Sequence, residues 1–362
     1  MHAAGLFRRV LAGLLCSAIW LSAAADSPCL VAYDLGSSGI RAGASNSGNT
    51  VRVELDALRL LAGRHPVEDA VAPTAAALGE LRSKGGFDPA CRQLGGGFSA
   101  WRLALERNAA TLAAALARIH AASGVPIVVI PQAQEGAYGY LGAQRILGDR
   151  LLTTHVLDIG GGSLQVAGKD SSFGDTLGQK LWQAELCRAL GRSGLPRCAL
   201  QPLGRDELAA ARALLAERLQ GIRTALPQGA TMTSISRPVS RGVQPALLKL
   251  AVGNADAEGF RLAAVTAAIE KLRGLGLEET GALTGIAPPY VAYLFSDLLL
   301  VEGLLLATGG DSLRVAEVDL TNVPGLLADE RTAAWGAQYT CYLDRLKASG
   351  LRAYFSDPAT CR

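Results

Sequence analysis

The sequence predicts an α/β protein built of two similar domains that face each other across a cleft. Its 362 residues suit two domains rather than many. A hydrophobic fraction of 49% and a charged fraction of 19% belong to a packed globular chain. They exclude a disordered or collagen-like one, despite 42 glycines. The third observation is a repeat. An apolar strand ending in Asp, a Gly/Ser turn and a second strand occur at 30–45 and return at 151–167. Asp-x-Gly-Ser-Ser at 34–38 thus becomes Asp-x-Gly-Gly-Gly-Ser at 158–163.

The elements follow in order. Residues 30–34 read as a strand, Gly36 to Gly39 as a tight turn, and 40–45 as its antiparallel partner. Helical composition and spacing cover 70–81 and 101–122. The β-branched run 125–130 is a buried strand, followed by a helix over 132–147. The pattern restarts with a strand at 151–158, a turn at 160–163 and a strand at 164–167. Helices are expected near 180–190 and 206–224, a strand near 230–236, and helices near 243–252 and 257–274. A helix over 290–307, a strand over 313–318 and a helix over 328–348 complete the chain.

Residues 1–25 read as a cleaved signal peptide. Arg8 and Arg9 form its positive region, 10–21 its apolar region, and Ala23, Ala24 and Ala25 its small-residue site. The apolar run is shorter than the roughly 20 residues that span a bilayer. The later stretch 291–308 is interrupted by Ser296, Asp297 and Glu302, so no membrane partner is expected after cleavage. The mature protein is expected in the periplasm or secreted. Removing Arg8 and Arg9 from 35 basic residues leaves 33 against 32 acidic, a balance of +1 that argues against nucleic acid as a partner. Six cysteines remain, an even number in an exported chain, and they allow 15 pairings. The sequence-near pairs Cys187–Cys198 and Cys341–Cys361 are preferred, leaving Cys29 with Cys91. A zinc site is set aside, since there is no Cys-x-x-Cys and the chain has four His.

Either hairpin alone is what any tight turn requires. Two of them, each preceded by a strand and an Asp, carry more weight. Consecutive backbone N–H groups in a Gly/Ser loop form an anion nest, and hydroxyls add donors. Gly36, Ser37 and Ser38 on one side and Gly160, Gly161, Gly162 and Ser163 on the other are therefore candidate phosphate ligands. Asp34 and Asp158, at the strand ends, are candidate ligands for a hydrated divalent cation, Mg²⁺ first.

These hairpins resemble those of the actin-like ATPase superfamily, and within it the exopolyphosphatase/guanosine pentaphosphate phosphatase family. The resemblance runs over about 29–328 and implies two ribonuclease H-like, actin-like domains. Tyr-Asp-Leu-Gly-Ser-Ser-Gly-Ile-Arg at 33–41 is similar to the family's first phosphate loop, which adds Arg41 to the candidates. Leu-Asp-Ile-Gly-Gly-Gly-Ser-Leu-Gln-Val at 157–166 is similar to the second. The segment 129–142 resembles the one bearing the catalytic glutamate, which maps that role onto Glu135. Ser-Ala-Trp-Arg at 99–102 stands where the family has a phosphate-contacting motif and nominates Arg102.

Physical reasoning gives Glu135 a task, since a carboxylate at a helix start beside a cleft can orient attacking water. The competing reading is an exposed glutamate stabilised by the helix dipole. Arg102 offers a bidentate phosphate clamp, or else a solvated helix face paired with Glu106. The family's Gly-Gly-Thr-type loop is replaced by Ser-Arg-Pro-Val-Ser-Arg-Gly-Val at 236–243, where Arg237 and Arg241 are substitute phosphate contacts or the loop has degenerated. Residues 37–39, 135–139 and Gln165 also resemble motifs of the ecto-apyrases.

The expected organisation is a signal peptide at 1–25, actin-like domains at 26–150 and 151–328, and a C-terminal helix and tail at 329–362. The expected activity is release of terminal phosphate from inorganic polyphosphate or a guanosine polyphosphate, with Mg²⁺ and with water activated by Glu135. An apyrase-type nucleotide hydrolase and a non-catalytic polyphosphate- or nucleotide-binding module are the alternatives. A homodimer is left open.

Overall fold

A computed structural model describes residues 29–62, 65–192, 198–316 and 322–361. The expected signal peptide lies outside the described residues. In the first half, β1 (Leu30–Leu35), β2 (Gly39–Ala44) and β3 (Thr50–Glu54) form an antiparallel meander, followed by α1 (Ala57–Ala62) and α2 (Val71–Gly85). Then come β4 (Arg92–Gly97), α3 (Ser99–Arg107), α4 (Ala109–Ser123), β5 (Ile127–Val129) and α5 (Gln132–Leu147). β4 and β5 add in parallel beside β1, giving the order β3-β2-β1-β4-β5.

The second half repeats this. β6 (His155–Ile159), β7 (Leu164–Gly168) and β8 (Ser172–Asp175) form the meander, followed by α6 (Gln179–Ala189), α7 (Arg205–Arg218) and α8 (Ile222–Ala225). β9 (Met232–Ser234), α9 (Gln244–Leu250), β10 (Gly259–Arg261), α10 (Leu262–Leu272), α11 (Leu277–Thr284), α12 (Pro288–Thr308) and β11 (Ser312–Val315) complete it. Its sheet order is β10-β11-β9-β6-β7-β8, with β9 parallel to β6 and β11 parallel to β9. Read from β8, this is the first sheet's pattern with β10 added at the edge. The two hairpins are equivalent in detail. Asp34 pairs with Arg41 across β1–β2, and Asp158 with Gln165 across β6–β7. Each turn closes with one backbone bond, Gly36 N–H to Gly39 O at 3.0 Å and Gly160 N–H to Ser163 O at 2.8 Å.

Two hydrophobic cores follow the two sheets. The last helices, α13 (Val323–Ala328), α14 (Glu330–Ala337) and α15 (Tyr339–Ser349), return to the first. Leu326, Trp335, Tyr342 and Leu346 are all fully buried there. α12 is long and apolar enough to cross a bilayer but is largely buried in the second core. The polar residues that interrupt it have partners: Glu302 accepts from Arg212 at 2.7 and 2.9 Å, and Asp297 from Gln179 at 2.6 Å. Cys29–Cys91, Cys187–Cys198 and Cys341–Cys361 are disulfide-bonded, the pairing preferred from sequence.

Several expected elements are revised. The helix over 101–122 is two helices, because the Asn108 side chain accepts from Thr111 N–H and caps α4. The helix over 328–348 breaks at Gln338 into α14 and α15. The strand over 151–158 begins at His155, and the one over 125–130 spans only Ile127–Val129. Residues 257–274 open with β10 before α10. The strand over 313–318 is β11, with 317–318 outside the described residues.

Candidate active site

The two hairpin turns face each other across a cleft of about 470 Å³. Gly36, Ser37, Ser38 and Gly39 line it from the first half, and Gly160, Gly161 and Ser163 from the second. The turns approach closely: a Cβ on Gly161 would lie 3.6 Å from Ser37 Cβ. Gly162 is not among the lining residues and packs between Ser37 and Ser99, which are. A Cβ there would lie 2.5 Å from Ser99 Oγ, so its role is close packing rather than lining. Helix starts brace both turns. Leu58 N–H of α1 donates to Ser37 O at 3.0 Å, while Gln179 and Lys180 N–H of α6 donate to Gly160 and Gly161 O at 2.9 Å.

Glu135 lies in the first turn of α5, which Pro131 starts after β5. It lines the cleft at 8% exposure, so it is not a solvated helix-end glutamate. Arg102, on α3, is buried as well. Its Nη1 lies 2.7 Å from Glu135 Oε2 and donates to Ile130 O at 3.0 Å. The structure therefore overturns the solvated-face reading of Arg102. It is paired not with Glu106 on a wet surface but with Glu135, as its counter-ion, and is not among the residues lining the cleft. Burial pushes the Glu135 carboxyl above its usual range; Arg102 opposes this and Asp34 adds to it.

Asp34 and Asp158 line the cleft at the ends of β1 and β6. Asp34 accepts from Asn322 N–H at 3.0 Å. The Asp158 carboxyl is pushed up to about 7 by burial first, then by the charges of Glu135 and Asp34, with Arg41 acting the other way. Three carboxylates thus crowd one cleft. Among the described residues they do not bring one oxygen each within 4.8 Å of one another, so they form no ready-made three-ligand cage. This arrangement fits hydrated Mg²⁺, which needs one or two direct carboxylates and substrate oxygens, and whose charge would relieve the crowding.

Cationic side chains surround the acids: Arg41, Arg52, Lys180 and Arg237 all line the cleft. Of the substituted 236–243 segment, Ser236, Arg237 and Pro238 reach it, whereas exposed Arg241 is not among its lining. Residues 238–243 form a π-helical turn. Sequence reasoning missed Arg52, Lys180, Gln179, Tyr290, Tyr293 and Asn322, all of which line the cleft. Lys180 follows the closely packed Gly178 after β8, a signal that could have been weighed. The others come from segments with no motif of their own.

No protein-family model matches the chain, and no curated protein does. Solved structures do. An exopolyphosphatase-like protein superposes with a TM-score of 0.59 at 17% identity, over 83% of this chain and 98% of the other. The Ppx/GppA phosphatase of Aquifex aeolicus gives 0.57 at 15% identity, over 84% and 99%. An exopolyphosphatase from Cytophaga hutchinsonii gives 0.56 at 15% identity, over 83% and 96%. The repeated hairpin-and-sheet architecture, with its cleft between two glycine turns, has the fold of the Ppx/GppA phosphatases.

Proposed function

We propose that this chain is an exported hydrolase that removes terminal phosphate from an extended phosphoanhydride, either inorganic polyphosphate or a guanosine penta- or tetraphosphate-like nucleotide. The observation that carries this is the composition of one cleft: two facing glycine turns, three carboxylates and four cationic side chains. The resemblance of the fold to phosphatases is consistent with it. The turns supply anion nests, and Arg41, Arg52, Lys180 and Arg237 balance a chain of phosphates. Glu135 orients water in line with the terminal bridging bond and takes its proton as oxygen attacks phosphorus. The bridging P–O bond breaks, releasing orthophosphate and a chain one phosphate shorter. A carboxylate whose proton affinity is raised by burial suits a base at neutral pH, and Arg102 keeps it ionised and aimed. Mg²⁺, held near Asp34 and Asp158, would neutralise phosphate charge when bound.

An apyrase-type nucleotide hydrolase is the second reading. Tyr290 and Tyr293 favour it, since they line the same cleft and offer apolar surface that an inorganic chain does not use. The test is phosphate release by the purified protein with Mg²⁺, using long-chain polyphosphate, guanosine penta- and tetraphosphate, ATP and ADP. Preference for polyphosphate or guanosine polyphosphates supports the first reading, and efficient ATP and ADP cleavage the second. Binding without turnover in folded, oxidised protein would leave a non-catalytic module.

A further inference from the structure

The segment from Asn322 to Thr332 follows the whole second half, yet it returns to Asp34 and to α5, the helix that carries Glu135. Asn322 bonds Asp34 directly. Seven residues on, Asp329 accepts a hydrogen bond from Tyr138 Oη, on α5 one turn beyond Glu135. The same carboxylate accepts from Tyr354 Oη at 2.5 Å, Thr332 Oγ1 at 2.5 Å and Arg331 N–H at 2.9 Å. Burial alone would raise its proton affinity, but the bonds from Thr332, Tyr138 and Tyr354 outweigh this and hold it below the usual range. Asp329 is therefore an ionised, saturated anchor.

The fit around Tyr138 is close. Its ring is buried against Gly325 of α13, where a Cβ would lie 2.3 Å from Tyr138 Cγ. The strand leading into α5 is tied to the same C-terminal segment. Val129 N–H donates to Tyr342 Oη at 2.8 Å, and Tyr339 Oη to Ile127 O at 3.2 Å. α5 is thus fixed at its entry by α15 and one turn past Glu135 by Asp329.

We propose that Tyr138 and Asp329 are positioning residues, whose bond sets the rotation of α5 and thereby aims Glu135 into the cleft. The consequence for turnover rests on the hydrolase reading; the consequence for α5 does not. A misaimed base loses rate while substrate grip by the glycine turns is retained.

Two tyrosines bonded to one carboxylate make an internal control. Tyr138→Phe removes the hydroxyl that α5 itself contributes to Asp329, and Tyr354→Phe removes the one contributed by residues 350–355. Both are to be compared with wild type by amide hydrogen exchange over 132–140, by phosphate release and by thermal midpoint. Tyr138→Phe is expected to speed exchange in that segment and lower kcat on the order of tenfold, with KM within about twofold. Tyr354→Phe is expected to leave exchange and kcat near wild type at a similar midpoint. Equal effects of the two variants, or no change in exchange with Tyr138→Phe, would overturn the proposal. If wild type releases phosphate from no substrate, the hydrolase reading fails, and the exchange comparison alone decides this one.

Discussion

Arg102 Nη1 and Glu135 Oε2 stand 2.7 Å apart, with both side chains buried and the carboxylate turned to the cleft. In that setting the arginine lowers the proton affinity that burial raises, so it governs the pH at which Glu135 acts as a base. Arg102→Met is expected to move the acid limb of the kcat profile to higher pH. Loss of a buried partner should also cost stability by about 3–5 kcal/mol. A pH–rate profile with an unmoved acid limb would count against this pairing.

Asp158 gives a second pH signature. Its ordinary value is 3.8 and its folded value about 7, so the unfolded chain releases this proton first as pH rises. Its contribution to stability is complete below about pH 4 and is lost as pH rises through 7. Asp297, pushed up to about 8 by burial, acts in the same direction. Asp158→Asn should therefore reduce, but not abolish, the fall in thermal midpoint between pH 4 and 8. Mg²⁺ should raise the wild-type midpoint more at pH 8 than at pH 5, and less in Asp158→Asn.

Gly178 tests the second turn by steric means. A Cβ there would lie 2.2 Å from Ser163 N, backbone that cannot yield without moving the turn. Gly178→Ala should cost about 1–3 kcal/mol and reduce phosphate release at least tenfold. Gly161→Ala, whose Cβ would make ordinary contacts at 3.6 and 3.7 Å, should keep a near-native midpoint. Equal midpoints for the two variants would contradict this packing.

The hairpins were legible because a turn between two strands must be written locally, in Gly, Ser and the flanking apolar runs. β4 was not. Arg-Gln-Leu-Gly-Gly-Gly carries no strand pattern, yet it lies between β1 and β5 in the first sheet. The reason is tertiary: Cβ atoms on Gly95, Gly96 and Gly97 would meet Ile127, Leu326 and Trp101 at 2.6–2.9 Å. The motif at 99–102 points to Arg102, but its burial beside Glu135 depends on how α3 meets α5. Asn322 lies 288 residues from Asp34, and Asp329 191 from Tyr138 of Glu135's helix, separations over which no spacing rule applies.

The Cys29–Cys91 bond ties the start of β1 to the start of β4 across 62 residues. Loop-closure entropy for that span is about 4 kcal/mol. The double variant Cys29→Ala with Cys91→Ala should show a marked fall in urea midpoint, and a midpoint near wild type would contradict it.

Hydrolysis of the preferred polyphosphate or nucleotide in ¹⁸O-water, with wild type beside Glu135→Gln, tests the role of Glu135 most directly. One ¹⁸O is expected in each released orthophosphate, none in the shortened chain, with a loss of roughly 10²–10⁴ in rate for the variant. Label in the shortened chain, or equal rates for the two proteins, would contradict attack on terminal phosphorus by water that Glu135 activates.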